Sequence, residues 1–318
     1  MKSPTCLFSA LSLLCALVLT VAGCTPAPTQ SVSMSRDQSS SLTTDAAASP
    51  ETTPETTEEV ADETPAPEQA APEQDKAAAS GEWGTLKGRI VYGGTPPEAV
   101  AVKITKDEAF CGKFDVMTED LVVGPDGGLA NAVVSLYLGR GDDAPPVHPS
   151  YSKTADAKVS LNNKGCRFEP HICVLRTTQT LLIANKDEVG HNTKVDTFSN
   201  DAINPIIPAG EHTEAKFPEP ERVPVPVSCS IHPWMKGYLV IRNHPYTAVT
   251  NEKGEFVIEN VPVGTRTFHF WQEKAGNLSD VTVDGSQTEW SRGRIEVDIK
   301  PGVNDMGEIK VNPDLFNE

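Results

Sequence analysis

The feature that most constrains the fold is a series of short β-branched and aromatic runs separated by turn residues. Clear examples are residues 86–92, 132–138, 180–184, 237–242 and 254–258, with Gly, Pro, Asn and Asp frequent between them. Val, Ile, Phe and Thr favour strands, and convincing amphipathic helices are few. The pattern predicts an all-β protein of one large or two small β-sandwiches.

The chain before residue 83 has a different composition. Residues 24–82 are rich in Pro, Thr, Ala and Glu, and they contain no aromatic residue. Such a segment cannot bury enough apolar surface to offset the entropy lost on ordering. We therefore predict a disordered, extended acidic tether, with folding beginning near Trp83.

Residues 1–23 have the features of a secretory signal peptide. Lys2 precedes an apolar run, residues 7–22, that is too short for a normal membrane-spanning helix. The run ends at Val21-Ala22-Gly23-Cys24, which resembles the lipobox of bacterial lipoproteins. The resemblance implies acylation of Cys24 and anchoring of an extracytoplasmic protein to a membrane, in the periplasm or at the cell surface. The alternative is an ordinary secreted protein.

The formal net charge of −17 excludes nucleic acid as a partner. No basic patch or stripe is present in the sequence to neutralise phosphates. Much of the acidity lies in the tether, so the folded part is less acidic than the total indicates.

One stretch, residues 229–235, carries three soft metal ligands: Cys229, His232 and Met235. His191 supplies a second imidazole about 40 residues upstream. A thiolate, two imidazoles and a thioether suit one copper ion that cycles between Cu(I) and Cu(II), with Met as the long axial ligand. Zinc favours a closed tetrahedral site without a thioether. No acid or amide is arranged to activate a catalytic cysteine, so we predict no enzymatic activity.

The Cys-x2-His-x2-Met spacing, together with Gly190-His191-Asn192 upstream, resembles the cupredoxins, the blue-copper proteins of the amicyanin and plastocyanin type. The resemblance covers residues 158–243. It implies a Greek-key β-sandwich that holds a type 1 copper site and carries single electrons between transient protein partners. By this resemblance Cys229, His191 and His232 are the equatorial ligands and Met235 is the axial ligand.

The same resemblance implies roles for neighbouring residues. Asn192 would bond to Ser230 and fasten the two ligand segments together, and the Gly190 carbonyl could approach copper from the other axial side. The edge of the His232 ring would reach solvent through an apolar patch formed by Pro226, Pro233 and Trp234. Such a patch suits brief docking of a redox protein over a small interface. For Trp234 the alternative is core packing.

The remaining cysteines and one histidine receive structural interpretations. We expect a disulfide between Cys111 and Cys166, because both lie beside turn signals, although sequence does not prove connectivity. Cys173, within a strand-like run, is expected to be a small buried hydrophobe. His171 is expected to be structural, with an additional metal ligand as the alternative.

A second signature lies in residues 248–271, where two alternating strands are joined by Val261-Pro262-Val263-Gly264. It resembles the carboxypeptidase regulatory-like, or transthyretin-like, β-sandwiches. Their usual opening strand resembles residues 86–96, far upstream. We therefore expect a discontinuous module of residues 84–140 and 244–312, with the copper module inserted; two sandwiches in tandem is the alternative.

These observations favour a lipid-anchored, extracytoplasmic one-electron carrier. Two alternatives stay open. One is a surface module that binds carbohydrate or protein, and the other is a protein that stores or delivers copper without redox cycling. Fold alone does not decide between them.

Overall fold

The computed structural model describes residues 82–317, which lie in one compact unit. The predicted signal peptide, Cys24 and the tether up to residue 81 lie outside the described residues. Within the described range, no helix has the length and apolarity needed to cross a membrane.

The prediction of an all-β protein is confirmed. The described residues form twenty strands, a single helical turn α1 (Glu108–Cys111), and 3-10 turns at Pro149–Thr154, Ser291–Gly293 and Pro313–Phe316. The strands separate into two groups, each of which encloses its own apolar core.

The first group, which we call the host sandwich, has sheets of order β14-β1-β20-β17-β18 and β13-β2-β15-β16, with β19 beside β15. Its strands are β1 (Trp83–Tyr92), β2 (Val133–Leu136), β13 (Thr247–Val249), β14 (Glu255–Pro262), β15 (Gly264–Gln272), β16 (Gly276–Asn277), β17 (Asp280–Val283), β18 (Ser286–Glu289), β19 (Arg294–Ile299) and β20 (Gly302–Val311). Alternating residues such as Leu86, Phe256, Phe268 and Phe270 fill the space between the sheets.

The second group, which we call the site sandwich, has sheets of order β10-β6-β3-β4 and β5-β12-β11-β8, with a small β7-β9 ladder. Its strands are β3 (Lys158–Lys164), β4 (Arg167–Glu169), β5 (Ile172–Arg176), β6 (Thr180–Asn185), β7 (His191–Asn192), β8 (Lys194–Val195), β9 (Ile206–Ile207), β10 (His212–Ala215), β11 (Val225–Ser228) and β12 (Lys236–Arg242). Leu161, Phe168, Ile183 and Phe217 are fully buried in its core.

Strand pairing shows how the chain passes between the two groups. β1 pairs antiparallel with β14 and parallel with β20, both of which lie far downstream in the sequence. The chain thus leaves the host sandwich after β2 and returns to it at β13. A cluster of four residues, Val133, Ile172, Val240 and Trp271, packs between the two groups.

The structure departs from the predicted boundaries in residues 101–117, which we call the cap. We expected all of residues 84–140 in the host sandwich, but Ile104, Phe110 and Cys111 of the cap pack against the core of the site sandwich. A disulfide joins Cys111 of the cap to Cys166 between β3 and β4, which is the pairing expected from the sequence. This covalent link holds the cap on the site sandwich.

Cys173 is a free thiol in β5 and is buried, as expected for a small hydrophobe. Burial raises the pKa of the Cys173 thiol to about 12, so it stays protonated at neutral pH.

The turn before β14 provides a test of the packing in the host sandwich. Gly254 has φ +76°, and a Cβ there would overlap the carbonyl oxygen of Ile90. Gly285 has φ +77°, but a Cβ there would meet no atom within 4 Å. We predict that Gly254→Ala lowers the free energy of unfolding by about 3 kcal/mol or more, because left-handed strain of about 1–2 kcal/mol adds to the overlap.

Urea unfolding followed by circular dichroism measures this loss. Gly285→Ala is the control, and it should lose only the strain of about 1–2 kcal/mol. Equal losses in the two variants would show that the contact between Gly254 and β1 has no energetic importance.

Candidate metal centre

His191 is held in one orientation by an aspartate that sequence reasoning missed. It lies in β7, is fully buried, and its Nε2 is 2.9 Å from Asp187 Oδ2. Asp187 also accepts hydrogen bonds from the backbone N–H groups of Gly165 and Cys166. Since Nε2 donates to the carboxylate, Nδ1 is free to bind a metal.

The environment of Asp187 favours its ionised form. Burial alone would raise the pKa of the Asp187 carboxyl, but hydrogen bonds from His191, Cys166 and Gly165 outweigh burial and lower it. Burial alone would lower the pKa of the His191 imidazole, but hydrogen bonds to Asp187 and Cys229 outweigh burial and raise it.

The loop between β11 and β12 brings the other predicted ligands to the same place. Its ends are joined by a hydrogen bond from Cys229 N–H to the Met235 carbonyl, 3.2 Å, and Met235 N–H donates to the His232 carbonyl, 2.9 Å. Cys229, His232 and Met235 are all buried. The Cys229 sulfur also accepts a hydrogen bond from His232 N–H, 3.4 Å.

Three donor atoms converge in the interior of the site sandwich. Cys229 Sγ lies 4.0 Å from His191 Nδ1 and 3.8 Å from His232 Nδ1, and the two Nδ1 atoms are 2.9 Å apart. The triangle is small enough for one ion to contact all three atoms. Hydrogen bonds from His191 and from nearby backbone N–H groups outweigh burial and lower the pKa of the Cys229 thiol, which favours the thiolate that a metal binds.

The donors fit copper. One thiolate and two imidazole nitrogens, with the Met235 thioether in the same buried loop, are the donor set typical of type 1 copper, and these residues would hold the ion. A second combination, Cys166 with Asp187 and His191, is also compact, but Cys166 is in a disulfide and Asp187 occupies His191 Nε2.

Asn192 connects the two ligand segments, as the resemblance implied. Its Oδ1 accepts hydrogen bonds from the backbone N–H groups of Ser230, 2.7 Å, and Ile231, 3.2 Å. Its Nδ2 donates to Asn204 Oδ1, 2.6 Å, and lies 3.4 Å from Ser230 Oγ. The role of the Gly190 carbonyl stays a prediction.

The expected exposure of His232 is wrong. The ring is 0% exposed, and its Nε2 lies 2.8 Å from Asp107 Oδ2 in the cap. Burial outweighs this contact and lowers the pKa of His232, so the neutral ring that binds metal is favoured. The physical reason is the disulfide, which holds the cap over the ring.

The other residues of the predicted docking patch differ in their exposure to solvent. Pro226 and Pro233 are exposed. Trp234 is half-buried against the core, lies 5.2 Å from the His232 ring, and donates from Nε1 to the Cys166 carbonyl, 3.1 Å. Trp234 thus packs against the core of the site sandwich, and its role in docking stays a prediction.

His171 lies outside the donor cluster. Its Nε2 is 2.6 Å from Glu273 Oε2 in the host sandwich, and its Nδ1 is 3.7 Å from Glu119 Oε2. These contacts fit the structural interpretation.

Sequence reasoning also missed Asp107 and Asp187. Asp187 lies four residues before His191, and this spacing could have identified it. Asp107 lies 125 residues from His232, and only the predicted disulfide places the cap near the site.

Comparison with solved structures aligns part of the chain with cupredoxins, with TM-scores below 0.5. A purple cupredoxin from Nitrosopumilus maritimus is 24% identical, with TM-score 0.23 over 27% of this chain and 99% of that one. A reduced Cu(I) form of an amicyanin variant is 17% identical, with TM-score 0.25 over 34% of this chain and 98% of that one.

A copper-containing nitrite reductase from Thermus scotoductus is 20% identical over 33% of this chain, with TM-score 0.25, and the match spans 25% of the reductase. No protein-family model matches the chain, and no curated protein matches it. The assignment of copper therefore rests on the donor atoms described above.

The link made by Asn192 can be tested by replacing Asn192 and, separately, its partner Asn204. Asn192→Ala removes the acceptor for two loop N–H groups. We expect it to lower the free energy of unfolding by about 1–3 kcal/mol and to weaken copper binding by about 10–100-fold. Thermal unfolding and competition with a copper chelator measure these changes.

Asn204→Ala is the matched control, because it removes only the partner of Asn192 Nδ2. It should change copper affinity much less. Equal weakening by the two variants would contradict a specific role for the Asn192 oxygen.

Proposed function

We propose that this protein is an extracytoplasmic type 1 copper protein that carries single electrons between redox partners and transforms no substrate. The observation that carries the proposal is the convergence of His191 Nδ1, His232 Nδ1 and Cys229 Sγ at one buried point. Copper bound by such a set supplies one-electron chemistry through the Cu(I)/Cu(II) couple.

The surroundings of the donors fit electron transfer better than catalysis or copper delivery. Each imidazole is held at Nε2 by a carboxylate, Asp187 for His191 and Asp107 for His232. Ligands fixed in this way rearrange little when the metal charge changes. Catalytic metal sites keep an open coordination position, whereas these donors are at most 2% exposed. Burial also opposes the direct ligand exchange that copper delivery requires.

The docking face that we propose includes the cap. His232 is covered, so a partner would approach the site through exposed Pro233, the ring of Trp234 and the cap. Two apolar cap residues, Phe114 and Met117, are each 39% exposed. A small apolar surface of this kind suits a transient redox partner.

The proposed location is outside the cytoplasm, on a membrane anchor. The disulfide between Cys111 and Cys166 is typical of oxidising compartments. The lipobox resemblance at Cys24 supports acylation and attachment to a membrane.

We also propose that the site sandwich is a copper domain inserted into a regulatory-like domain. The pairing of β1 with β14 and β20, together with the two separate cores, supports this arrangement. Tandem sandwiches would place β1 and its partners on the same side of the copper segment in sequence, whereas β1 precedes that segment and β14 and β20 follow it.

Spectroscopy tests the copper proposal directly. Protein loaded with Cu(II) is expected to show intense visible absorption from thiolate-to-copper charge transfer and the EPR signature of a type 1 centre. Cys229→Ser should abolish both signals. Cys173→Ser is the matched control and should keep them, because Cys173 lies outside the donor cluster. A colourless Cu(II) complex of the unaltered protein would contradict the proposal.

The carboxylate on His232 gives a second test. A negative charge beside the ligand ring stabilises Cu(II) relative to Cu(I). We therefore predict that Asp107→Asn raises the reduction potential, measured by voltammetry of the copper-loaded protein.

Glu108→Gln is the control, since it removes a neighbouring charge on α1 and is expected to shift the potential less. An unchanged potential in Asp107→Asn would show that the cap does not influence the metal.

A further inference from the structure

A cavity at the other end of β12 is lined by an unusual concentration of arginine. It has a volume of about 440 Å³, and five arginines line it: Arg140, Arg222, Arg242, Arg292 and Arg294. β12 runs from Lys236, next to the copper loop, to Arg242. At about 3.3 Å per residue, the cavity lies roughly 20 Å along the strand from the metal centre.

Within residues 82–317 these five guanidinium groups lack ionic partners, although the full sequence carries 44 acidic and 27 basic residues. Arg89 and Arg167, by contrast, pair with Glu308 at 2.9 Å and Glu119 at 3.6 Å. Across residues 82–317, none of the five has a carboxylate within ion-pair distance. The chain has more acidic than basic residues, so isolated arginines can find carboxylate partners. Because these five arginines are clustered without such partners, the local field is positive.

The two carboxylates that also line the cavity already accept hydrogen bonds. Glu221 is buried, and its Oε1 accepts from the backbone N–H groups of Phe198 and Ser199 and from the Asn200 amide. Asp142 Oδ2 accepts from Gly139 N–H, 2.6 Å. Five positive charges therefore face two negative charges. Glu221 Oε1 is engaged by residues 198–200, whereas its buried Oε2 has no hydrogen-bond partner among the described residues.

Arg242 forms a fixed, charged part of the cavity wall. It is only 7% exposed, and it donates from Nε to Ser135 Oγ, 3.1 Å, and from Nη1 to the carbonyls of Glu221, 2.5 Å, and Ile241, 3.0 Å. Its Nη2 has no hydrogen-bond acceptor among the described residues. Burial lowers the pKa of Arg242 only to about 10, so the group keeps its charge at neutral pH. Glu221 attracts this guanidinium but is not within ion-pair distance, so the buried charge is only partly compensated.

A second guanidinium is oriented by an aromatic ring. Arg294 lies over Tyr137 at 4.7 Å from the ring centroid, and it is half-buried. Arg140, Arg222 and Arg292 are exposed. The cavity thus combines two positioned guanidinium groups with three that are free to adjust to a ligand.

We infer that this cavity binds a small organic anion that carries two or more carboxylate or phosphate groups. Guanidinium groups bind planar carboxylates and phosphates through paired hydrogen bonds, and five of them require more than one negative charge for balance. The volume is that of a small-molecule site. The inference does not depend on the copper function, since the two sites share no residue.

Calorimetric titration of the full chain at about 0.15 M salt tests the inference, because surface attraction is largely screened there. The probes are citrate, which carries carboxylates, and fructose 1,6-bisphosphate, which carries phosphates; glucose is the neutral control. We expect one saturable site for at least one anion and no heat with glucose. The probe that binds more tightly identifies the preferred acid group.

Variants at the cavity show where the anion binds. Arg222→Gln and Arg294→Gln should each weaken binding by about tenfold or more, because each removes a charged hydrogen-bond donor. Arg167→Gln makes the same charge change outside the cavity and should leave the dissociation constant within about twofold. Arg242 is left intact, since its bonds to β2 and to Glu221 support the fold.

Two results would overturn the inference. One is the absence of saturable binding for both anions. The other is equal weakening by Arg167→Gln and Arg222→Gln, which would mean general attraction to positive charge rather than a site.

Discussion

The structure of the site depends on the two nitrogens of each histidine having different partners. In both rings Nε2 meets a carboxylate, and in both rings Nδ1 points to the Cys229 sulfur. If either carboxylate were absent, its ring could rotate, and the small triangle of donors would not be fixed. The fold therefore has to bring together two aspartates and two histidines from three separate places in the chain: residue 107, residues 187–191 and residue 232.

The two halves of this arrangement are anchored differently. Asp187 belongs to the site sandwich and is itself held by backbone N–H groups next to the disulfide at Cys166. Asp107 belongs to the cap, which reaches the site through the same disulfide from its other end, Cys111. One covalent bond thus supports both carboxylates. This explains how a short cap with a single turn of helix can cover a ligand that would otherwise face solvent.

Features that depend on residues close together in the sequence could be predicted, whereas contacts between distant residues could not. Cys229, His232 and Met235 lie in one loop, so their spacing alone indicates that they bind the same metal ion. Strand composition was enough to predict an all-β protein of one large or two small β-sandwiches, because alternation of apolar residues is a local property. The contact of Asp107 with His232 was not predictable in the same way. It depends on a loop from before β2 folding back over a later sandwich, and no local pattern encodes such a path.

The contact between the two sandwiches holds the site sandwich against the host sandwich. Four apolar residues pack at the centre of the contact. A polar contact lies on each side, His171 with Glu273 and Arg242 with Ser135. These polar contacts require specific geometry, which apolar packing alone does not impose. β5 and β12 carry one side of this contact, and the copper loop opens directly into β12. The contact with the host sandwich therefore helps to fix the orientation of the loop that carries the metal donors.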